Sequence, residues 1–168
     1  MHHHDHRKHG QVKGPIHVAI VTISDTRDET TDKNGPYLKA ELQKAEYELA
    51  SYIIVKDDPE AVRDKVKELA AGDAQVILLN GGTGISARDN TFDTLSALIE
   101  KPLPGFGELF RMLSFDQVGS VAMLSRATAG VYKKTLLFST PGSSKAVELA
   151  WEKLIAPQLG HLVWELTR

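Results

Sequence analysis

The 168-residue chain contains no cysteine, so disulfides, thiolate metal ligands and a cysteine nucleophile are excluded, and a reducing compartment is compatible with it. Long apolar runs are also missing. No segment reaches the roughly 18–20 apolar residues that cross a bilayer, and the N-terminus carries histidines where a signal peptide needs an apolar stretch. The expectation is a cytoplasmic protein with no membrane partner. Nor is positive charge in excess: 20 Lys and Arg stand against 22 Asp and Glu, a formal net charge of −2. The general basic field on which non-specific DNA or RNA binding rests is absent, and nucleic acid is not expected as a partner. No Gly-x-Ser-x-Gly elbow supports a serine hydrolase.

What remains is an ordinary globular composition, 42% hydrophobic and 25% charged, in a length that suits one domain with one substantial core. That domain is placed at residues 16–168. Residues 1–15 read as a flexible His-rich tail. Its His2, His3, His4, His6 and His9 have no carboxylate shell or helical spacing to organise a metal site, and an expression tag or a polar arm accounts for them.

Strand and helix patterns alternate along the rest. Ile16 to Thr22 is short, apolar and β-branched, as in a strand covered on both faces. Ser24 to Asn34 is loop-like, and Gly35-Pro36 leads into a helix carrying Leu38, Leu42 and Ala45. Tyr47 to Val55 reads as a second strand. Asp58-Pro59 starts a helix whose stripe is Val62, Val66, Leu69 and Ala70, ended by Gly72. Gln75 to Asn80 is a third strand running into glycines, after which Asn90-Thr91 is expected to cap a helix with Leu95, Leu98 and Ile99. Pro102 and Pro104 break the chain before a helix over Phe106 to Phe115. Thr128 to Val131 and Thr135 to Ser139 suggest two short strands, Pro141-Gly142 opens a further helix, and Pro157 interrupts it before a last one over Leu159 to Leu166. The pattern predicts a three-layer α/β/α, doubly wound, mostly parallel sheet with one antiparallel strand. Ligands of such sheets bind beyond the carboxyl ends of the strands, where Ser24 to Arg27, Gly81 to Asp89 and Pro141 to Lys145 should meet.

Gly81-Gly82-Thr83-Gly84 follows a buried strand and precedes a helix, so its amides can approach phosphate oxygens with no β-carbon in the way; a tight turn is the alternative. It is neither a Walker A loop nor the dinucleotide fingerprint. Asp57, Asp58 and Asp89 fall at element ends facing the crevice, where Asp57 or Asp89 could hold Mg²⁺ or orient a phosphate nucleophile. Asp58 is better explained as a helix cap, and Asp89 suits either role. Two carboxylates beside a polyphosphate repel it unless a cation intervenes, so an Mg²⁺-nucleotide is the consistent partner. Pro141-Gly142-Ser143-Ser144-Lys145 offers amides, hydroxyls and an ammonium to an anion, or is simply a capped helix start. Glu108 and Arg111, spaced i, i+3, read as a solvated ion pair.

Taken together, Thr22-Ile23-Ser24-Asp25-Thr26, Gly81-Gly82-Thr83-Gly84 with Arg88-Asp89, Pro104-Gly105-Phe106-Gly107-Glu108, Ser125-Arg126-Ala127 and Pro141-Gly142 resemble, in order, the MogA/MoaB family of molybdenum cofactor biosynthesis. The resemblance spans roughly Ile16 to Leu162. Phe110 to Phe115 and Ile155-Ala156-Pro157-Gln158-Leu159 look most like the MoaB branch. It implies an α/β/α domain that binds molybdopterin and adenylylates it with Mg-ATP, releasing pyrophosphate, with the two important carboxylates at Asp57 and Asp89. It also implies that Ser24, Asp25, the Gly81-Gly82-Thr83-Gly84 loop, Glu108, Ser114, Ser125, Pro141, Gly142, Ser143 and Ser144 line the pterin and nucleotide site, and that the chain forms a homotrimer or homohexamer. The chain has Lys56-Asp57 where active members usually have Pro-Asp, and Arg88-Asp89-Asn90-Thr91 where they have Arg-Asp-Val-Thr; both carboxylates are kept. The alternative in the same pathway is a non-catalytic pterin-binding or carrier protein, and retention of both acids favours the enzyme. An unrelated nucleotide-binding regulator would fit the glycine loop but not the other motifs.

Overall fold

The computed structural model describes residues 12–168; the histidines of the expected tail lie outside the described residues. Val12 packs, partly buried, against the core.

The apolar runs form the centre of a six-stranded sheet in the order β2 (Glu48–Val55), β1 (His17–Ile23), β3 (Val76–Asn80), β6 (Thr135–Thr140), β5 (Thr128–Tyr132), β4 (Lys101–Pro102). The first four are parallel. β5 is antiparallel to both β6 and β4, so it alone is reversed, as the hairpin pattern suggested. Every side chain of β3 is buried, which is why its sequence shows no alternation.

Helices cover both faces. α1 (Asn34–Lys44), α4 (Pro104–Val118), α5 (Ser144–Ala150) and α6 (Leu159–Thr167) contribute Leu38, Leu42, Phe106, Phe110, Val147 and Leu159 to one core. α2 (Pro59–Ala71) and α3 (Thr91–Leu98) contribute Val62, Val66 and Leu95 to the other. Because β1 feeds a helix on one face and β3 feeds one on the opposite face, their outgoing loops separate and leave a crevice at their carboxyl ends. Among the described residues no helix is long and apolar enough to cross a membrane.

Several details depart from the sequence reading. Pro102, expected only to break the chain, lies in the short edge strand β4, where a missing N–H costs no ladder bond. The helix expected to end at Phe115 runs to Val118 and stops at Gly119, whose φ of +72° is left-handed, and a 3₁₀ turn follows over Gly119–Leu124. Asn90 does not cap α3 with its side chain; its amide instead donates to the carbonyls of Arg88 at 3.2 Å and Ala87 at 3.5 Å. Ahead of Pro157 the helix widens into a π turn over Trp151–Ile155, with Ala156 N–H donating to the Trp151 carbonyl at 2.8 Å. The widening removes the clash a proline ring makes with the carbonyl four residues back.

The loop after β1 is anchored by a buried carboxylate. Asp32 accepts from Thr22 Oγ1 at 2.8 Å, Tyr52 Oη at 2.5 Å, Asn34 N–H at 3.0 Å and Gly35 N–H at 3.2 Å. Asn34 Nδ2 donates at 2.8 Å both to Asn80 Oδ1 and to the Gly142 carbonyl, and Asn80 Nδ2 returns to Thr22 Oγ1 at 3.1 Å. Burial first, and then the Asp32 bond, push the Tyr52 phenol pKa up, so Tyr52 stays a donor. Asp32→Ala strands these donors and is expected to cost roughly 2–4 kcal/mol. Urea denaturation measures it; a loss below 1 kcal/mol would show that water replaces the carboxylate.

Candidate functional site

At the end of β3 the chain turns sharply toward α3, and the turn is possible only because of glycine. Gly81 and Gly82 have φ of +108° and +70°. A β-carbon on Gly81 would sit on the Ile23 carbonyl oxygen, and one on Gly82 would strike Thr91 Oγ1 and approach Asp57 Oδ2 at 2.6 Å. The glycine loop also contacts the loop after β6: a β-carbon on Gly142 would lie 3.4 Å from Gly81 Cα.

Three successive carbonyls of this loop are taken by protein donors. The Gly82 oxygen receives Thr91 N–H at 3.1 Å, that of Thr83 receives Arg126 N–H at 2.9 Å, and that of Gly84 receives Arg126 Nε at 2.9 Å. With its acceptors engaged, the loop presents donors, the polarity an anion requires. Asp89 closes the far side, its Oδ2 accepting Ser86 N–H at 2.9 Å and Ser86 Oγ–H at 2.6 Å.

A cleft of about 390 Å³ opens here. Nine of the sequence-predicted residues line it: Gly82, Thr83, Gly84, Asp89, Ser114, Ser125, Pro141, Gly142 and Ser143. Phe110, Gln117, Val118, Val121, Ala122, Leu124, Lys145 and Ala146 complete the wall, giving one polar end of loops and one apolar end from α4 and the 3₁₀ turn. Ser143 Oγ accepts Ala146 N–H at 3.2 Å and Ser125 Oγ accepts Ala127 N–H at 3.3 Å. Each hydroxyl thus keeps its own proton free to donate.

The remaining predicted residues lie outside the cleft lining. Gly81 is buried in the turn, Ser144 is exposed at the start of α5, and Glu108 is exposed on α4. Glu108 is not paired with Arg111 among the described residues; Arg111 turns inward and donates to the carbonyls of Ser125 at 3.3 Å and Ala127 at 3.1 Å. Part-buried carbonyls at the approach to β5 hold the guanidinium in preference to a solvated carboxylate. Ser24 Oγ accepts the N–H groups of Thr26 at 3.2 Å and Arg27 at 3.0 Å, shaping its loop. Asp58 caps α2 through Ala61 N–H at 2.9 Å.

Asp25 and Asp57 form a second layer behind the glycines. Asp25 accepts Asp57 N–H at 3.2 Å and a forked pair from Arg88, Nε at 3.0 Å and an Nη at 2.7 Å. That guanidinium holds the exposed Asp25 carboxyl below the usual carboxylate range. Asp57 is buried, 6% exposed, with Asn90 N–H 3.3 Å from Oδ1. Burial pushes its carboxyl pKa up; the Asn90 bond opposes this, and the charges of Asp89 and Asp25 add to it. Among the described residues no three or more His, Cys, Asp or Glu side chains converge as a metal cage. The acids present suit a cation such as Mg²⁺, which one or two carboxylates hold together with substrate phosphates.

Sequence reasoning missed Arg126 as a site residue, along with the wall of the cleft from Gln117 to Leu124. The only signal for Arg126 was its place in the Ser125-Arg126-Ala127 motif.

Residues 19–161 match the family model described as "Probable molybdopterin binding domain". The chain is similar to molybdenum cofactor biosynthesis protein B of Bacillus cereus, 50% identical over 169 residues covering 98% of this chain and 97% of that protein. A crystal structure of molybdenum cofactor biosynthesis protein B superposes with a TM-score of 0.90 at 50% identity, covering 94% of this chain and 99% of the other. The tungsten cofactor synthesizing protein MoaB from Pyrococcus furiosus superposes with a TM-score of 0.84 at 34% identity, covering 94% and 100%.

The burial that raises the carboxyl pKa of Asp57 also carries a stability cost. Between the unfolded value of 3.8 and the higher folded one, the native state holds the extra proton, so stability falls as pH rises through that window and stays lower above it. Asp57→Asn removes the cost and is expected to melt at a higher temperature than the parent at pH 7. The gain should vanish as pH falls toward 3.8. A variant that melts lower at pH 7 would show that the ionised acid is compensated.

Proposed function

The chain belongs to the molybdenum cofactor biosynthesis family of the MoaB and MogA proteins, and from that premise we propose that it binds molybdopterin and adenylylates it with Mg-ATP. One observation carries the reading beyond the family: a loop with its carbonyls occupied and its amides available lies between two acids, Asp89 lining the cleft and Asp57 buried behind Gly82. A donor-rich loop attracts phosphate oxygens, while the acids repel them unless a divalent cation comes with the nucleotide.

In this proposal an oxygen of the pterin's terminal phosphate attacks the α-phosphorus of ATP. That bond forms as the bond from the α-phosphorus to the bridging oxygen of the β-phosphate breaks, and the electron pair leaves with pyrophosphate. The amides of Gly82, Thr83 and Gly84 hold phosphate oxygens, Ser125 and Ser143 donate their free protons, and Lys145 adds a positive charge. Asp57 and Asp89 would hold Mg²⁺, which when bound neutralises phosphate charge. The apolar end of the cleft, with Phe110, Val118 and Leu124, suits the flat face of a heterocycle. Catalysis is then positioning and charge compensation.

A cytosolic homotrimer or homohexamer belongs to the same proposal. Phe106 and Phe110 are buried core residues, whereas Met112, Phe115, Val118, Val121 and Met123 are 50–74% exposed along α4 and the 3₁₀ turn. An apolar strip of that kind favours an interface.

Asp89→Asn is expected to keep pterin binding within a few-fold and to lose adenylylated product by about 100-fold or more, the scale of removing one positioned electrostatic group. Incubation with molybdopterin, ATP and Mg²⁺, with product resolved by chromatography, measures this. Tight pterin binding with no product in the intact protein would sink the adenylyltransferase reading and leave a pterin carrier.

A further inference from the structure

Arg126 lies in sequence far from the loop it touches, yet its contacts are concentrated there. Its backbone N–H holds the Thr83 carbonyl at 2.9 Å. Its Nε holds the Gly84 carbonyl at 2.9 Å and one Nη holds the Asp89 carbonyl at 2.9 Å, so one planar group clamps both ends of the Gly84–Asp89 segment. The other Nη is anchored by both oxygens of Asp93 at 3.1 Å each, and the Phe92 ring lies 5.0 Å from the guanidinium carbon. Both anchors are on the first turn of α3. The side chain is 28% exposed, buried enough for these bonds to hold one geometry.

We propose that Arg126 is the positioning residue that makes the glycine loop an anion cradle and sets Asp89 at its rim. Without its side chain, the Gly84 carbonyl is free to rotate toward the cleft, where its negative end would oppose a phosphate, while the backbone N–H still holds the Thr83 carbonyl. Release of the Asp89 carbonyl frees the short segment that carries the Asp89 carboxylate. Lysine keeps the charge but offers one compact ammonium, which cannot span Gly84, Asp89 and Asp93 at once. The proposal rests on the reading of this cleft as a phosphate site, and its primary readout is independent of turnover.

The test compares intact protein with Arg126→Lys and Asp93→Ala by amide hydrogen exchange, with MgATP affinity from calorimetry alongside. Arg126→Lys is expected to speed exchange at residues 84–90 by tenfold or more, with β1, β3 and β6 unchanged, and to weaken MgATP binding about tenfold. Asp93→Ala removes only the anchor and is expected to speed exchange of the same residues two- to threefold, which keeps the proposal testable if Arg126→Lys does not fold. A positioning role predicts a further split: on Asp89→Asn, Arg126→Lys lowers product formation by less than threefold, against tenfold or more on the parent. Exchange at 84–90 equal to that of the parent in the folded Arg126→Lys variant, or in Asp93→Ala, overturns the proposal. Absence of product in the intact protein overturns the adenylyltransferase reading and leaves the loop measurement to decide this one.

Discussion

The Asp32 carboxylate fixes where the binding loops begin. It is only 3% exposed and accepts from four donors drawn from β1, β2 and the start of α1. Its neighbours carry the constraint outward: Asn34 reaches Asn80 at the end of β3 and the Gly142 carbonyl after β6, and Arg27 reaches the same carbonyl at 3.0 Å. One buried, fully engaged network therefore fixes the relative positions of three loops that are distant in sequence. Such a network has few alternative arrangements, because any slip leaves a buried polar group unpaired.

Asp32 and Asp57 are both buried acids, but they are treated in opposite ways. Asp32 has four donors, three on Oδ2 and one on Oδ1. Asp57 has one amide from the protein on a side-chain oxygen and two acidic neighbours. The first arrangement stabilises the fold, and the second leaves an acid whose charge the protein itself does not neutralise. Arg88 supplies partial relief through its charge, from an exposed position where it pairs with Asp25. Uncompensated charge next to a donor-rich loop is costly for an empty site and useful for one that receives a cation with a phosphate.

The layers, the reversed strand and the main strand-to-helix loops were legible in the sequence because each depends on local pattern: a continuous apolar run for β3, Asp58-Pro59 for α2, glycines for the turn after Asn80. The cleft was legible in part. Its glycines and serines announce themselves as loop chemistry, whereas the Val118 to Leu124 wall has no periodicity, since a 3₁₀ turn after Gly119 interrupts the helical repeat. Arg111 shows the other limit. Its spacing from Glu108 suggested an ion pair, but the decisive partners are carbonyls of Ser125 and Ala127, which no helical spacing reveals. Pro157 marked an interruption correctly without disclosing that the helix would widen into a π turn before it ends.

The glycine loop makes the same point about where function resides. Glycines permit the turn, but permission does not set polarity: a loop of the same φ and ψ with free carbonyls would offer acceptors as readily as donors. Polarity comes from what occupies the carbonyls, and here those occupants are the first amide of α3 and Arg126 on the strand-ward segment before β5. Backbone amides of two segments and the side chain of one of them thus share in setting that polarity. A substitution at residue 126 would leave the Gly81-Gly82-Thr83-Gly84 motif intact while freeing the Gly84 carbonyl.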